Sequence, residues 1–305
     1  MNKGVASAFF AYIMWGFFPI YFRALDQVPP IQTLAHRIVW SFLFMLLILV
    51  GRKEIKALKQ TLRPKILLIY LLAGVLLAAN WFTFVWGVSS GYVLESSLGY
   101  FINPLVSVLL GVIFLHEKLR PLQWVPVGLA AAGVLYLTIS LGKLPWIALI
   151  LAFSFGLYGL MKKIAPLGSL QGLTLETGAV FLPALGILLF AEATGKGVYG
   201  HTDLITTILL SLVGIVTAVP LLFFATGARR VPLSTMGLLQ YVSPTIQFFI
   251  GVFLFGEPFS HQRLIGFSMI WIALAIFTAE SLLHRSDKPL IPNISDPPIP
   301  VEPPV

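Results

Sequence analysis

Apolar runs long enough to cross a membrane recur along this chain, and they constrain its fold more than any other feature. A helix rises 1.5 Å per residue, so about 20 residues cross the roughly 30 Å hydrocarbon core of a bilayer. The 305 residues are 58% hydrophobic and 10% charged, with a mean hydropathy of +0.92, whereas a soluble surface needs far more charge. Alternation with a period of two residues is missing, which favours helices over strands. The sequence therefore predicts an all-α polytopic membrane protein.

Ten of these runs are predicted to be transmembrane helices. The first begins after Lys3 and is interpreted as a retained span, because no small-residue cleavage site precedes Pro19. The segment HRSDKPLIPNISDPPIPVEPPV, from His284 to the end, is proline-rich and is predicted to be a disordered cytoplasmic tail. The predicted spans are roughly residues 4–25, 31–50, 65–89, 93–115, 122–141, 145–162, 170–192, 204–227, 233–255 and 263–283.

The distribution of lysine and arginine predicts the orientation. Fifteen of these residues fall on one predicted side of the membrane and four on the other. By the positive-inside rule, both termini are expected in the cytoplasm of an inner-membrane protein. The net charge of +8 is therefore interpreted as a topology signal and not as a sign of nucleic-acid binding. The chain has no cysteine, and we predict no metal or cofactor; the oligomeric state is left open.

The chain resembles itself at a shift of 140 residues, without a gap. Five predicted spans in each half make the second half enter the membrane from the opposite side, which is an inverted-topology repeat typical of secondary transporters. The predicted organisation is a first repeat at residues 1–141, a second at 142–283 and a tail at 284–305. The matched pairs are Gly16 and Gly156, Gly74 and Gly214, Gly87 and Gly227, Pro104 and Pro244, Gly111 and Gly251, and Glu117 and Glu257.

Polar side chains follow one face of the fourth span and reappear at equivalent positions of the ninth. They lie beside the matched prolines Pro104 and Pro244, which are interpreted as hinges. The alternative is ordinary hydrogen bonding between helices or aromatic packing. We predict that these faces line a substrate pathway with aromatic walls, suited to amphipathic or aromatic solutes and able to hold a cation over a ring. The predicted pathway residues are Tyr12, Trp15, Asn80, Trp81, Ser96, Tyr100, Asn103, Ser107, Tyr158, Gln240, Ser243 and Gln247.

Four ionisable residues fall within predicted spans, where charge is costly and usually faces a pathway or a partner: His36, Arg37, Glu95 and Glu176. All four are expected toward the outer third of the membrane. One interpretation is a salt bridge from Arg37 to Glu95 or Glu176 that fastens helices together. The other is proton exchange through His36 or the glutamates.

The chain resembles the RarD subfamily of the drug/metabolite transporter superfamily, whose members carry two EamA domains. The resemblance implies an inner-membrane permease with ten helices in two inverted halves. Relatives in the wider superfamily export amino acids, metabolites or drugs. It runs from about residue 4 to 283 and rests on the segments AYIMWGFFPIYF, LAHRIVWSF, ANWFTFVWGV, LESSLGYFINPLVSVLLGVIFL, GIVTAVPLLFF and STMGLLQYVSPTIQFFIGVFLFGE. The predicted site residues in these recurring segments include Trp15, His36, Arg37, Asn80, Trp81, Glu95, Tyr100, Asn103 and Pro104.

Three classes of function were weighed. The favoured one is a secondary transporter that exports small amphipathic solutes, either by proton exchange or by simple facilitated exchange. The sequence contains no phosphate-binding G-x-x-x-x-G-K-[ST] loop, so the chain is not expected to carry an ATPase of its own. The second is a membrane-embedded enzyme using His36 with Glu95 or Glu176, although the H-E-x-x-H and G-x-S-x-G motifs are missing. The third is a channel. The expected partners are a small-molecule substrate, the lipid bilayer and, for a coupled carrier, protons.

Overall fold

The computed structural model describes residues 3–90, 92–140, 142, 144–256 and 261–283, so the predicted tail at 284–305 lies outside the described part. The described residues form helices and connecting turns, with no strand among them. A 3₁₀ turn at Pro121–Gln123 precedes α7, and a π-helical turn at Ile250–Leu254 follows α13. The helices are α1 (Lys3–Gly16), α2 (Phe18–Arg23), α3 (Pro30–Gly51), α4 (Ile55–Thr61), α5 (Pro64–Ser89), α6 (Val93–Phe114), α7 (Trp124–Ser140), α8 (Trp146–Ile164), α9 (Ser169–Ala179), α10 (Phe181–Ala193), α11 (Leu204–Ala228), α12 (Leu233–Gln240), α13 (Val242–Phe249) and α14 (His261–Leu283).

The described part contains seven helical segments that are long and apolar enough to cross a membrane. Two of these segments, Lys3–Arg23 and Leu233–Leu254, each comprise two of the helices named above. The bent pair α9–α10 would make an eighth span. Shorter apolar stretches at Leu98–Phe114 in α6 and Leu264–Glu280 in α14 coincide with the fourth and tenth predicted spans. The prediction of an all-helical polytopic membrane protein is therefore confirmed. The count of ten spans stays a prediction.

Proline accounts for the three places where a span is interrupted. A proline has no N–H group, so the carbonyl four residues earlier loses its helical partner. Pro19 follows the break between α1 and α2, Pro183 follows the 47° bend between α9 and α10, and Pro244 follows the break between α12 and α13. Helix α6, in contrast, runs unbroken through Pro104. The two matched prolines thus differ in their local effect on the helix.

The main hydrophobic core is built from α1, α6, α8, α11 and α12. Helix α11 packs against α1 and α3, while α5 packs against α8 and α9. Helix α6 contacts α12, and α7 contacts α14. When each span is replaced by its equivalent in the other predicted repeat, the α1–α11 contact becomes the α8–α5 contact, and the α3–α11 contact becomes the α9–α5 contact. The contacts of α6 with α12 and of α7 with α14 each map onto themselves. This packing is the one that two repeats related by a pseudo-twofold axis would have, although the repeat itself remains an inference.

Two matched glycines allow helices to approach backbone to backbone. A Cβ atom at Gly74 of α5 would lie 2.6 Å from the carbonyl oxygen of Glu176 in α9. One at Gly214 of α11 would overlap the backbone of Trp40 and Ser41 in α3, where the Ser41 hydroxyl donates to the Gly214 carbonyl at 3.1 Å. These contacts give a structural reason for glycine at both positions, since any side chain would force the helices apart.

Candidate substrate cavity

A cavity of about 510 Å³ lies among α1–α2, α3, α5, α6, α8, α11 and α12–α13. Its walls are mainly apolar and aromatic, and a few polar side chains point into it. Its volume falls within the range of about 300–1,000 Å³ that is usual for small-molecule sites. The residues predicted from the sequence that line it are Trp15, Arg37, Asn80, Trp81, Tyr100, Asn103, Gln240, Ser243, Pro244 and Gln247.

The exposure of the residues in and beside its lining indicates that the cavity is open at one end and closed at the other. At the open end it is lined by the connection between α2 and α3, where Asp26 is exposed to solvent. At the closed end lies a layer of buried rings, here called the aromatic floor: Tyr12, Tyr158 and Phe224. The Phe224 ring centroid is 6.2 Å from that of Tyr12 and 6.0 Å from that of Tyr158. Two predicted pathway residues, Tyr12 and Tyr158, therefore close the cavity and do not line it.

Asn80 and Asn103 supply buried amides to the cavity from adjacent helices. The Asn80 Nδ2 atom donates to the Leu151 carbonyl at 2.8 Å and to the Ser154 hydroxyl at 3.0 Å, which fastens α5 to α8. Asn103 is only 4% exposed, and its Oδ1 atom has no hydrogen-bond partner in the described part of the chain. An unpaired buried amide oxygen costs free energy in an apolar environment.

Gln247 satisfies a carbonyl group that proline leaves unpaired. Because Pro19 has no N–H group, the carbonyl of Trp15 cannot receive its helical hydrogen bond. The Gln247 Nε2 atom donates to that carbonyl at 3.0 Å and to the Ser243 hydroxyl at 3.3 Å. The side chain thus joins α13, near the end of the chain, to the break between α1 and α2.

Arg37 is the positively charged group in this cavity, and it does not form the predicted bridge to Glu176. Its Nε atom donates to the Thr217 hydroxyl at 3.2 Å. Its guanidinium carbon lies 4.5 Å from the centroid of the Trp81 ring and 5.0 Å from that of Phe22. Within the described residues, no carboxylate lies within salt-bridge distance of it.

Glu176 instead pairs with Lys162 beyond the aromatic floor. The Lys162 Nζ atom lies 2.7 Å from Oε1, and the Tyr158 hydroxyl donates to Oε2 at 3.1 Å. Both charged side chains are almost fully buried, at 3% exposure for Lys162 and 0% for Glu176. The expectation that Glu176 lies at the same depth as His36 is wrong. The segment between α8 and α9 packs near the end of α3, whereas His36 lies near its beginning.

His36 lies outside the main cavity, beside a smaller one of about 350 Å³. Its ring centroid is 5.1 Å from that of Tyr199, and neither ring nitrogen has a hydrogen-bond partner among the described residues. Because Glu176 lies toward the other end of α3, the suggested catalytic pair of His36 and Glu176 is not formed. The side chain of Glu95 lies outside the described residues, so the proposed pairs of Glu95 with Arg37 or His36 stay predictions.

The remaining predicted residues on α6 pack against neighbouring helices. Ser107 and Pro104 lie against Gly237 of α12, where a Cβ atom would be 3.0 Å from the Ser107 Cβ. Ser96 is fully buried against Gly87 of α5, and its hydroxyl has no partner in the described part. The structure therefore brings the middle of the predicted α6 stripe into the cavity, while the two ends lie in helix contacts.

The analysis of the sequence alone did not identify several cavity residues. Phe18 and Phe22 fall in the quoted segment FFPIYF, where a proline between aromatic residues was an available signal. Thr217 lies within the apolar run of α11, and nothing in that run distinguishes it. In the described part of the chain, no three His, Asp or Glu side chains are grouped closely enough to hold a metal ion.

The apolar helices define a multi-pass membrane protein, and the cavity between them has a volume usual for small-molecule sites. The chain belongs to the EamA-like transporter family, which matches residues 2–139 and 144–279. The family assignment made from the sequence segments is thereby confirmed.

Several bacterial proteins are similar to this one over most of the chain. It is 49% identical over 284 residues to the uncharacterized transporter YojE of Bacillus subtilis, covering 91% of this chain and 94% of YojE. It is 45% identical over 282 residues to protein RarD of Streptomyces exfoliatus, with 92% and 90% covered. Protein RarD of Escherichia coli is 41% identical over 283 residues, with 92% and 95% covered. A solved crystal structure shares the fold at a TM-score of 0.69 and 19% identity, covering 92% of this chain and 98% of its own.

Proposed function

We propose that this chain is a secondary transporter that exports small amphipathic metabolites, amino acids or drugs across the inner membrane by alternating access. The observation that carries the proposal is the cavity, which is open beside Asp26 and closed by the aromatic floor. A solute that enters at one end can leave at the other only if the floor opens. That requirement is the essential step of alternating access.

The packing of the helices supports this mechanism. Each predicted repeat contributes spans to the cavity, and contacts between the repeats occur in equivalent pairs. Two spans that line the cavity are broken beside it, at Pro19 and Pro244. In transporters with inverted repeats, broken helices at the repeat interface commonly form the substrate site. Relatives named as uncharacterized transporters in Bacillus subtilis and Pseudomonas aeruginosa favour the same function.

The orientation in this proposal places both termini in the cytoplasm, as the distribution of lysine and arginine indicates. The open end of the cavity then faces outward, and the floor and the Lys162–Glu176 pair face the cytoplasm. The structure described here would be the outward-open state of an exporter. Ten spans in two inverted halves are part of the proposal.

The first experiment measures flux in proteoliposomes that contain the purified protein. A panel of amino acids, metabolites and amphipathic drugs is tested with and without an imposed pH gradient, and empty liposomes serve as the control. Saturable flux of at least one solute is the expected result. Flux that rises linearly with solute concentration, without counter-transport, would instead indicate a channel.

Proton coupling is tested with Glu95→Gln, which retains the size of the side chain and removes its charge. The inserted amount and the thermal stability of this variant should equal those of the wild type. We expect it to lose any flux that depends on the pH gradient while retaining exchange of solute for solute. His36→Gln is the matched comparison at the other candidate proton carrier. Gradient-driven flux unchanged in both variants would assign both residues a structural role.

We infer that the chain is not an enzyme. One of the two acid–base pairs that the enzymatic alternative allowed, His36 with Glu176, is separated along α3, and His36 is outside the described lining of the main cavity. A catalytic acid and base must lie within hydrogen-bond reach of the same substrate. Chemical alteration of a transported solute, detected by mass spectrometry of the liposome contents, would overturn this inference.

A further inference from the structure

Among the described residues, no carboxylate neutralises Arg37, the cation that lines the main cavity. Arg37 and Asp26 are the charged residues among its described lining, and Asp26 is exposed at the open end. Arg37 has no carboxylate within salt-bridge distance in the described structure, and its hydrogen bond to Thr217 uses only Nε. A guanidinium has five N–H donors in a planar fork. The other four have no partner among the described residues and can bind a ligand.

Two of the rings in the aromatic walls are already in contact with this cation. The Arg37 guanidinium lies over the rings of Trp81 and Phe22. A cationic solute that used the same ring faces would meet a like charge at close range in an apolar cavity, where repulsion is strong. A carboxylate would instead neutralise Arg37 and could accept two parallel hydrogen bonds from its fork. The position of Arg37 therefore reverses the preference for a cation that the aromatic residues alone suggested.

The rest of the lining fits a flat apolar body. Trp15, Phe84 and Phe155 present aromatic surface to the cavity, and the volume of about 510 Å³ accommodates a fused two-ring compound. We propose that this cavity selects small organic anions, with a carboxylate bound to Arg37 and a planar apolar body held between the aromatic walls. This rests on the proposed transport function and specifies its substrate class.

The test uses three probes of one shape and different charge: 2-naphthoate, 2-naphthamide and 2-naphthylmethylammonium. Binding to the full chain in lipid nanodiscs is measured by isothermal titration calorimetry. The carboxylate is expected to bind about 10- to 100-fold more tightly than the amide, since a hydrogen-bonded charge contributes that much to binding. The ammonium is expected to bind more weakly than the amide. A ranking in which the amide or the ammonium binds most tightly, or undetectable binding of the carboxylate, would overturn the proposal.

Variants then assign the effect to Arg37. Arg37→Gln is expected to reduce the carboxylate's advantage over the amide to within about threefold, because the fork and its charge are both lost. Arg37→Lys, which retains the charge, is expected to lie between Arg37→Gln and the wild type. Arg23→Gln is the matched control, since Arg23 lies over Phe255 and outside the cavity lining. If Arg37→Gln does not fold, the lysine variant and the wild-type probe series still decide the question.

Transport of the same probes in proteoliposomes separates this inference from the proposed function. Saturable flux of the amide or the ammonium but not of the carboxylate would retain the transporter and overturn the anion preference. Tight carboxylate binding without saturable flux of any probe or panel solute would retain the anion site and count against the transporter. An Arg37→Gln variant that binds carboxylate as tightly as the wild type would remove Arg37 from the site.

Discussion

Lys162 and Glu176 place two opposite charges in contact within the spans, where both side chains are almost fully buried. Bringing each charge out of water is costly, and the pair offsets that cost only while both partners are present. The Tyr158 hydroxyl adds a hydrogen bond to the carboxylate and links the pair to the aromatic floor. At the scale of single residues, the closed end of the cavity therefore depends on a buried charge pair that becomes destabilising when either partner is removed.

Removing only the lysine should be strongly destabilising. We expect Lys162→Met to lower the free energy of unfolding by about 3–5 kcal/mol, because Glu176 would be left buried without its partner. The double variant Lys162→Met with Glu176→Leu should recover much of this loss. Unfolding with denaturant in detergent micelles measures both. Lys65→Met, at an exposed lysine, is the control, and an equal loss in Lys65→Met and Lys162→Met would contradict the prediction.

The interruptions of the spans are the main feature at the scale of helices. Pro244 leaves the Gln240 carbonyl without its helical donor, and the helix breaks at the next residue. Pro104 occupies the matched position in α6, yet α6 is continuous. The two proposed hinges are therefore not equivalent in this conformation, and motion of the α12–α13 span should be easier than motion of α6.

Replacing Pro244 should impair transport more than it impairs folding. Pro244→Ala restores an N–H donor to Gln240 and favours a continuous helix, so we expect at least about a tenfold loss of flux, equivalent to a barrier about 1.4 kcal/mol higher. Thermal stability should be unchanged or higher. Pro104→Ala is the comparison and should have a smaller effect. Similar flux in Pro244→Ala and the wild type would remove the hinge role.

A second prediction at this scale concerns the contact between α11 and α3. We expect Gly214→Leu to lower the free energy of unfolding by about 1–3 kcal/mol, because its side chain would overlap the backbone of α3. Gly186→Leu on α10 is the matched control, since nothing in the described structure lies within 4 Å of a Cβ atom there. Thermal unfolding in the same detergent compares them. Equal stability of the two variants would contradict the close approach.

The sequence predicted the spans well because hydrophobic length and proline position are local properties. The predicted run 204–227 corresponds to Leu204–Ala228, and 233–255 corresponds to Leu233–Leu254. It also placed ten residues that line the cavity, since a polar side chain in an apolar span must avoid lipid. It did not predict the partner of Glu176. Lys162 is one of the fifteen lysines and arginines that the sequence assigns to the cytoplasmic side, and only the folded structure shows it buried in contact with Glu176.

At the scale of the whole molecule, the absence of cysteine permits a direct test of orientation. A single cysteine at Asp26, at the open end of the cavity, should react with a membrane-impermeant maleimide added outside intact cells. A single cysteine at Lys56, in the predicted cytoplasmic loop, should react only after the cells are permeabilised. Wild-type protein, which cannot react, is the control. The reverse pattern of labelling would invert the proposed topology and the proposed direction of transport.

The bond between Gln247 and the Trp15 carbonyl has a consequence for biosynthesis. Its two ends are 232 residues apart, so at about 5–20 residues per second the ribosome needs roughly 10–50 s to supply the donor after the first span is made. During that interval the break beside Pro19 lacks its final partner, because among the described residues no other side chain donates to the Trp15 carbonyl. Nascent chains arrested before α13 should therefore be digested faster near Pro19 by added protease than chains arrested after it. The last spans of this protein would thus complete the fold of the first.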